Sequence, residues 1–145
     1  MPTPNEVVTS MLEKDAFSQW LGIQVLSIEE GCSAIKMMVR NEMVNGFGIV
    51  HGGIAFSLAD SAFAFACNNR NNLSVALETN INFLKAVNVG DELTAIATEV
   101  HNGKSTGVYS INIFNQRKEL VALFKGTCFR TGKALVANEN SNRSN

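Results

Sequence analysis

The segment from His51 to Cys67, HGGIAFSLADSAFAFAC, constrains the fold more than any other part of the chain. It predicts a helix over about 53–68 that is apolar on nearly every side, and such a helix has to be buried on most of its surface. One sheet can cover only one face of it, so a second copy of the chain is expected to cover the rest. The longest fully apolar run in the segment, Ala62 to Cys67, is far too short to span a membrane.

The remaining elements predict an α+β chain in which antiparallel strands surround this helix. A first helix is expected over 5–20, with Gly22 as its stop. Alternating apolar residues and turn signals predict strands over 23–30, 32–40, 75–83, 92–100, 105–115 and 119–130. Consecutive strands with short loops predict antiparallel pairing, with the long helix on one face. We expect one domain over residues 1–132, followed by a polar tail over 133–145 that is expected to be disordered.

Composition excludes several classes of function. The chain has 12 basic and 13 acidic residues and no basic run, which argues against a nucleic-acid partner. Glu6 and Glu13 lie where a signal peptide would need basic and apolar regions. The cysteines are widely spaced and odd in number, which predicts reduced thiols and a cytoplasmic protein. With two histidines and no paired cysteines, no metal site is expected.

Asp60 is the one acidic residue within this apolar segment. Burying an unpaired carboxylate costs several kcal/mol in effect unless it is paired or hydrogen-bonded. Two interpretations stay open at this point. Asp60 could face a solvated gap or cap a neighbouring element, or it could lie in a cleft with a pKa suited to base catalysis.

The sequence His51-Gly52-Gly53 opens the same helix. The N–H groups of a first helical turn have no partner within the helix, and the helix dipole is positive there. Two glycines keep side chains away, so this turn could polarise a carbonyl and hold an oxyanion. The alternative is a glycine turn that lets the chain enter a crowded core.

The spacing of these two features predicts a site shared between chains. Eight residues separate Gly52 from Asp60, about 12 Å along a helix. A base and an oxyanion donor must both lie about 3 Å from the reacting groups, so one chain cannot supply both. Two antiparallel copies of the helix could bring Asp60 of one copy beside Gly52 of the other, which gives two equivalent sites per dimer.

Several segments resemble the hotdog-fold thioesterases, in the phenylacetic-acid-degradation (PaaI-type) branch. They are NGFGIVHGGIAFSLADSAFAFACN, TNINFLKAVNVGDELTAIATEV, GKSTGVYSINIFNQ and VALFKGTCFR, and the resemblance covers about residues 15–132. It implies a hotdog fold, in which an antiparallel sheet wraps a long central helix, assembled as a dimer or a dimer of dimers, with a homotetramer expected. It also implies hydrolysis of acyl-CoA thioesters, here aryl-acetyl esters such as phenylacetyl-CoA or its ring-hydroxylated forms, with no cofactor beyond the CoA of the substrate.

The resemblance assigns catalytic roles to Asn45, His51, Gly52 and Asp60. The Gly52 N–H would polarise the thioester carbonyl, and Asp60 of the facing chain would activate water or attack directly. Asn45 would position the water or the carboxylate, and His51 would orient the loop or donate a hydrogen bond. Substrate-binding roles are expected for Gly53, Phe83, Lys85, Lys104, Ser105 and Thr106, although each lysine could be an ordinary solvated charge.

One position departs from the family pattern. Some related enzymes carry a hydroxyl residue one helical turn after the acid, where this chain has Ala64. Ser61 is adjacent to Asp60 but points about 100° away around the helix.

Phe56, Phe63 and Phe65 could shape an acyl pocket, although core packing is expected for most of them.

Two other functions fit the same fold. A hotdog hydratase or dehydratase would act on acyl thioesters, but such enzymes typically carry a proline-bearing motif or an acid before the histidine. A non-catalytic acyl-CoA binding or sensing module usually carries an attached DNA-binding segment, and none fits in the first 20 residues. A serine hydrolase is poorly supported because the chain has no G-x-S-x-G.

Overall fold

The computed structural model of the protein describes residues 1–137. Two short helices, α1 (Pro4–Lys14) and α2 (Ala16–Leu21), precede a hairpin of β1 (Gln24–Glu29) and β2 (Cys32–Met38). The long helix α3 (Gly52–Asn68) follows a loop with one 3-10 turn at Asn41–Met43. The other strands are β3 (Ser74–Phe83), β4 (Glu92–Asn102), β5 (Thr106–Phe114) and β6 (Leu120–Arg130). The predicted α+β arrangement of one long helix and an antiparallel sheet is confirmed.

The strands form one six-stranded sheet in the order β1-β2-β4-β5-β6-β3, and every neighbouring pair is antiparallel. Strand β3 does not pair with β4, its successor in the chain, as short loops between consecutive strands would suggest. The crossover follows from α3, whose 17 residues extend for about 25 Å across the sheet before the chain turns back. Strands β1 and β3 are therefore the two edges, and β3 exposes Val75, Leu77 and Phe83.

Arg130 fastens the end of α3 to the start of β3 and to the β4–β5 hairpin. Its buried guanidinium donates to the carbonyl oxygens of Cys67 at 3.0 Å and Gly103 at 3.3 Å. It also donates to Ser74 Oγ at 3.1 Å, to Asn102 Oδ1 at 2.7 Å, and to the Tyr109 hydroxyl at 2.8 Å. One side chain thus joins three segments that are distant in sequence.

Helix α3 buries most of its surface against the sheet, with Leu58, Ala59, Ala62 and Phe65 fully buried. The prediction of burial on nearly all sides has one exception. A row of partly exposed positions runs along the helix at the 3.6-residue period, and it consists of Gly53, Phe56, Ser57, Asp60 and Ala64. We call this row the open stripe. No helix within residues 1–137 is long and apolar enough to cross a membrane.

The single helix predicted over 5–20 is two helices. Asp15 breaks it with φ −95° and ψ 82°, and its carboxylate caps α2 by accepting the Ser18 N–H at 3.0 Å. An aspartate forms such a cap more readily than it sits inside a helix. The predicted stop at Gly22 is confirmed by its left-handed conformation, with φ +77°. The aromatic residues Phe17 and Trp20 stack on each other on the surface of α2.

Hydrogen bonds continue past the predicted domain end at residue 132. Asn71 Oδ1 accepts the N–H groups of Leu135 at 3.0 Å and Val136 at 2.8 Å. The Leu73 N–H donates to the Lys133 carbonyl at 2.7 Å. The first residues of the predicted tail are thus fastened to the loop between α3 and β3, and residues 138–145 lie outside the described residues.

Candidate active site

The start of α3 is built by His51 and the two glycines that follow. His51 is the N-cap, and its Nδ1 accepts the Gly53 N–H at 2.9 Å. A neutral imidazole that accepts at Nδ1 carries its proton on Nε2, which stays a donor. A Cβ on Gly53 would lie 2.9 Å from the same Nδ1, so a side chain there would crowd the cap. Within residues 1–137 the Gly52 N–H has no acceptor.

Asn45 shapes the loop that delivers His51 to the helix. Its Oδ1 accepts the N–H groups of Phe47 at 2.9 Å and Ile49 at 3.2 Å. The His51 N–H donates to the Met43 carbonyl at 2.8 Å, which closes the loop. The side-chain oxygen of Asn45 is thus occupied by the backbone, whereas no acceptor among the described residues takes its NH₂ group. Any contact of Asn45 with a water or a carboxylate would use that NH₂ as donor.

A cleft of about 190 Å³ opens beside this turn. Phe83, at the end of β3, forms one wall of it, and a Cβ on Gly52 would lie 3.2 Å from the Phe83 Cζ. The absence of a side chain at Gly52 therefore keeps the gap between helix and ring open. The cleft is lined by Ile49, Val50, His51, Gly52, Ala55, Phe83, Lys85, Ala86 and Val87.

Asp60 lies on the open stripe, about 12 Å along α3 from Gly52. It is partly buried, and no hydrogen bond or ion pair to its carboxylate is found within residues 1–137. Burial raises the pKa of Asp60, and the nearby negative charge of Asp15 raises it further. Within residues 1–137 Asp60 caps no neighbouring element, so a solvated gap and a catalytic cleft are the two interpretations that stay open. An unpaired carboxylate with a raised pKa is the state that suits a base or nucleophile near neutral pH.

The residues predicted to hold the CoA moiety fall into two separate places. Lys85 lies at the cleft and makes an ion pair with Glu119 at 2.5 Å; Glu119 also binds Arg117 at 2.6 Å. These hydrogen bonds lower the pKa of Glu119 to about 2. Lys104, Ser105 and Thr106 form the β4–β5 hairpin, which lies at the other end of the sheet, because Thr106 pairs with Phe129 while Phe83 pairs with Ala122. Within one chain the structure does not bring this hairpin to the cleft.

The other side chains considered in the sequence are also placed. Ser61 is turned away from Asp60 and bonds to Ser18. Phe63 and Phe65 pack in the core as expected, and Phe56 meets Phe124 edge-on at 5.4 Å. The three cysteines are free thiols, as predicted. In the described part of the chain no cluster of three His, Cys, Asp or Glu side chains could hold a metal ion.

Sequence reasoning missed two residues near Asp60, namely Asp15 and Ser18. The pattern over 5–20 predicts a continuous helix through Asp15, although an aspartate followed three positions later by a serine fits a helix N-cap as well. The walls of the cleft at Ile49, Ala86 and Val87 were also missed. Nothing in their sequence pattern distinguishes them from ordinary loop residues.

The chain matches known proteins over most of its length, both in sequence and in structure. The family model described as the thioesterase superfamily matches residues 47–122. The chain is 47% identical over 127 residues to acyl-coenzyme A thioesterase PaaI of Escherichia coli. This alignment spans 88% of this chain and 91% of that protein. The solved structure of the E. coli PaaI protein from the phenylacetic acid degradation operon superposes with a TM-score of 0.88 at 44% identity, over 90% of this chain and 95% of that one.

A second solved structure is a hypothetical thioesterase from Streptococcus pneumoniae that contains coenzyme A. It superposes with a TM-score of 0.81 at 29% identity, over 87% of this chain and 98% of that chain. The likeness in structure therefore extends over most of the chain, and the family match includes helix α3 and the β4–β5 hairpin.

Proposed function

Because the chain belongs to the thioesterase superfamily, we propose that it hydrolyses aryl-acetyl-CoA thioesters to the free acid and CoA, at sites shared between two copies. The hotdog fold and the activity of an acyl-CoA thioesterase, both predicted from the sequence, are confirmed by the family match and by the likeness to PaaI. The acyl group, the shared site and the role of each residue are the parts proposed here. The observation that carries the shared site and the residue roles is the free N–H at the start of α3, together with an unpaired Asp60 on the open stripe. The choice of an aryl-acetyl group is supported by the likeness to PaaI.

The shared site follows from distance and from exposure. Gly52 and Asp60 of one chain are too far apart to act on one carbonyl. The open stripe carries Asp60 and is the part of α3 that the chain's own sheet leaves uncovered. A second α3 packed antiparallel on this stripe would cover it and bring each Asp60 toward the other chain's Gly52. Two such sites per dimer follow from the two-fold axis, and packing of two dimers into a tetramer is proposed from the family resemblance.

The same antiparallel dimer would bring the β4–β5 hairpin of one copy to the cleft of the other. Residues 104–106 lie at the end of the sheet opposite the cleft. In an antiparallel pair the hairpin of the second copy comes to the end that holds the first copy's cleft. Lys104, Ser105 and Thr106 could then contact the phosphates of CoA, to which Lys85 contributes after exchanging its partner Glu119.

The proposed reaction uses only groups of the protein and water. The Gly52 N–H and the positive end of α3 polarise the thioester carbonyl oxygen and stabilise the oxyanion that forms on it. The ionised Asp60 of the facing chain either takes a proton from the water that attacks the carbonyl carbon or attacks that carbon itself. The Asn45 NH₂ and the His51 Nε2–H are donors for the water, the carboxylate or the thioester. The C–S bond then breaks, and CoA leaves as the thiol once it has taken up a proton. If Asp60 attacks the carbon itself, the acyl group stays on its carboxylate as a mixed anhydride. Water then hydrolyses this anhydride, which releases the free acid and regenerates Asp60.

Thiol release over a panel of CoA esters tests this proposal. Phenylacetyl-CoA and its ring-hydroxylated forms should be hydrolysed with higher kcat/KM than straight-chain alkyl esters. Asp60→Asn should lower kcat by about 10²-fold or more while the fold is retained. Full turnover in Asp60→Asn would remove Asp60 from the mechanism.

Two outcomes of the same panel would favour the other functions. Hydration of an enoyl-CoA without free thiol would indicate a hydratase. Tight binding of the esters without thiol release would indicate a binding module.

We also propose a cytoplasmic location and activity without an added cofactor. Retention of full turnover after exhaustive treatment with a chelator tests the absence of a metal cofactor.

A further inference from the structure

We propose that Asp15 is a positioning residue of this thioesterase, which acts on Asp60 through a hydrogen-bonded chain formed with Ser18 and Ser61. The inference rests on the proposed role of Asp60. It concerns the segment between α1 and α2, which the mechanism above does not use.

The chain of hydrogen bonds is continuous, part-buried at Asp15 and buried between Ser18 and Ser61. Asp15 Oδ2 accepts from Ser18 Oγ at 2.5 Å, and Ser18 Oγ lies 2.9 Å from Ser61 Oγ. Ser18 is 1% exposed and Ser61 is 9% exposed. Ser61 is the residue next to Asp60 on α3, so the chain joins the α1–α2 junction to the helical turn that holds the catalytic carboxylate.

The charge of Asp15 fixes the direction of both bonds. An ionised carboxylate can only accept, so the Ser18 hydroxyl must donate its one proton to Asp15. The Ser18 oxygen is then left as an acceptor, and the Ser61 hydroxyl must donate to it. The proton of Ser61 is therefore held away from Asp60. A hydroxyl that donated to Asp60 would stabilise its ionised form and lower its pKa, and Ser61 does not do so because it bonds to Ser18 instead.

Asp15 also acts on Asp60 directly through its charge. Its negative charge is the one charge of the described residues that raises the pKa of Asp60, in addition to burial. No cation of the described residues is paired with Asp60 from α2, from α3 or from the sheet. Asp15 thus contributes in two separable ways: the hydrogen-bonded chain positions the turn, and the negative charge affects the protonation of Asp60.

The effect of the negative charge of Asp15 on the pKa of Asp60 is tested by Asp15→Asn. Asparagine is as good an N-cap as aspartate, so α2 keeps its start. The lost negative charge should move the acidic limb of the pH profile of kcat/KM to lower pH, because Asp60 then ionises more readily. Glu13→Gln is the matched control, because it removes the same charge from an exposed side chain two residues earlier. The control should leave the limb where it is.

The hydrogen-bonded chain is tested by Ser61→Ala, which α3 tolerates because alanine already occupies positions 59, 62, 64 and 66. This variant keeps both carboxylates. We expect kcat to fall about 3- to 10-fold with KM little changed, because the turn that holds Asp60 loses its link to Ser18. The acidic limb should stay in place.

The results separate this inference from the proposed function. A shifted limb in Asp15→Asn but not in Glu13→Gln, with a lower kcat in Ser61→Ala, supports the inference. Wild-type kcat in Ser61→Ala overturns the positioning role, even if Asp15→Asn fails to fold. Coincident profiles for wild type and Asp15→Asn overturn the role of the charge. If Asp60→Asn is inactive while these variants behave as wild type, only the role of Asp15 is wrong and the proposed function stands.

Discussion

Replacing Gly52 by proline removes one N–H from the first turn of α3 without removing the turn, and so tests the proposed oxyanion site. Gly52 is the first residue of the helix, a position where proline is tolerated because the helix does not use that N–H. His51 has φ −62° and ψ 132°, which lies near the extended region that a residue before proline must adopt. The backbone of this turn is thus already suited to proline.

Gly52→Ala is the matched control. Its Cβ would lie 3.2 Å from the Phe83 Cζ, so the ring has to move by a few tenths of an ångström. Phe83 is 58% exposed and can make that movement. Proline brings the same Cβ, and in addition its Cδ replaces the amide hydrogen. The ratio of the two variants therefore reports on the amide position, with the crowding of Phe83 largely cancelled.

Loss of one oxyanion donor lowers kcat by about 10²–10³-fold, equivalent to about 2.7–4 kcal/mol of transition-state stabilisation. We expect Gly52→Pro to fall below Gly52→Ala by that ratio in a thiol-release assay at one pH and one protein concentration. Far-UV circular dichroism and the melting temperature should show that both variants are folded. A kcat for the proline variant within about threefold of the alanine variant would place the thioester carbonyl away from the Gly52 amide.

Three further predictions concern stability. Arg130→Lys should lower the free energy of unfolding, measured in urea, by about 2–4 kcal/mol, because an ammonium group cannot reproduce the five hydrogen bonds of the planar guanidinium. Lys125→Met, on the exposed side of the same strand, is the control and should change this free energy little. Gly126→Ala should cost about 1–3 kcal/mol by the same measurement, because its Cβ would lie 2.7 Å from the buried Phe63 ring; an unchanged midpoint would contradict that packing. Asp60→Asn should have a higher melting temperature than wild type at neutral pH, because it removes a partly buried negative charge. The difference in melting temperature should shrink as the pH falls through the raised pKa of Asp60, because protonation then relieves the same burial cost in the wild type.

The central helix and the glycine turn that opens it could be predicted from the sequence because both depend on local pattern. An apolar run with one acid in it specifies a buried helix, and two glycines after His51 specify an accessible first turn. The place of β3 beside β6 could not be predicted from loop lengths, because it depends on the distance that α3 carries the chain across the sheet.

The structure brings together some of the predicted site residues and not others. Asn45, His51, Gly52 and Phe83 meet at one end of the fold, but the paired state of Lys85 depends on Glu119, a residue 34 positions away. The influence of Asp15 on Asp60 was also missed. It requires the break between α1 and α2, where a cap competes with continuation of the helix and tertiary packing decides the outcome.

The exposed edge of β3 has a consequence for how the protein can be handled. Its ten residues present unpaired backbone groups together with the apolar side chains of Val75, Leu77 and Phe83. Such an edge is a template on which other polypeptides can add strands, so aggregation is the expected fate of a chain whose β3 edge stays uncovered. Single chains with this edge exposed should therefore precipitate on refolding instead of accumulating as inactive monomers.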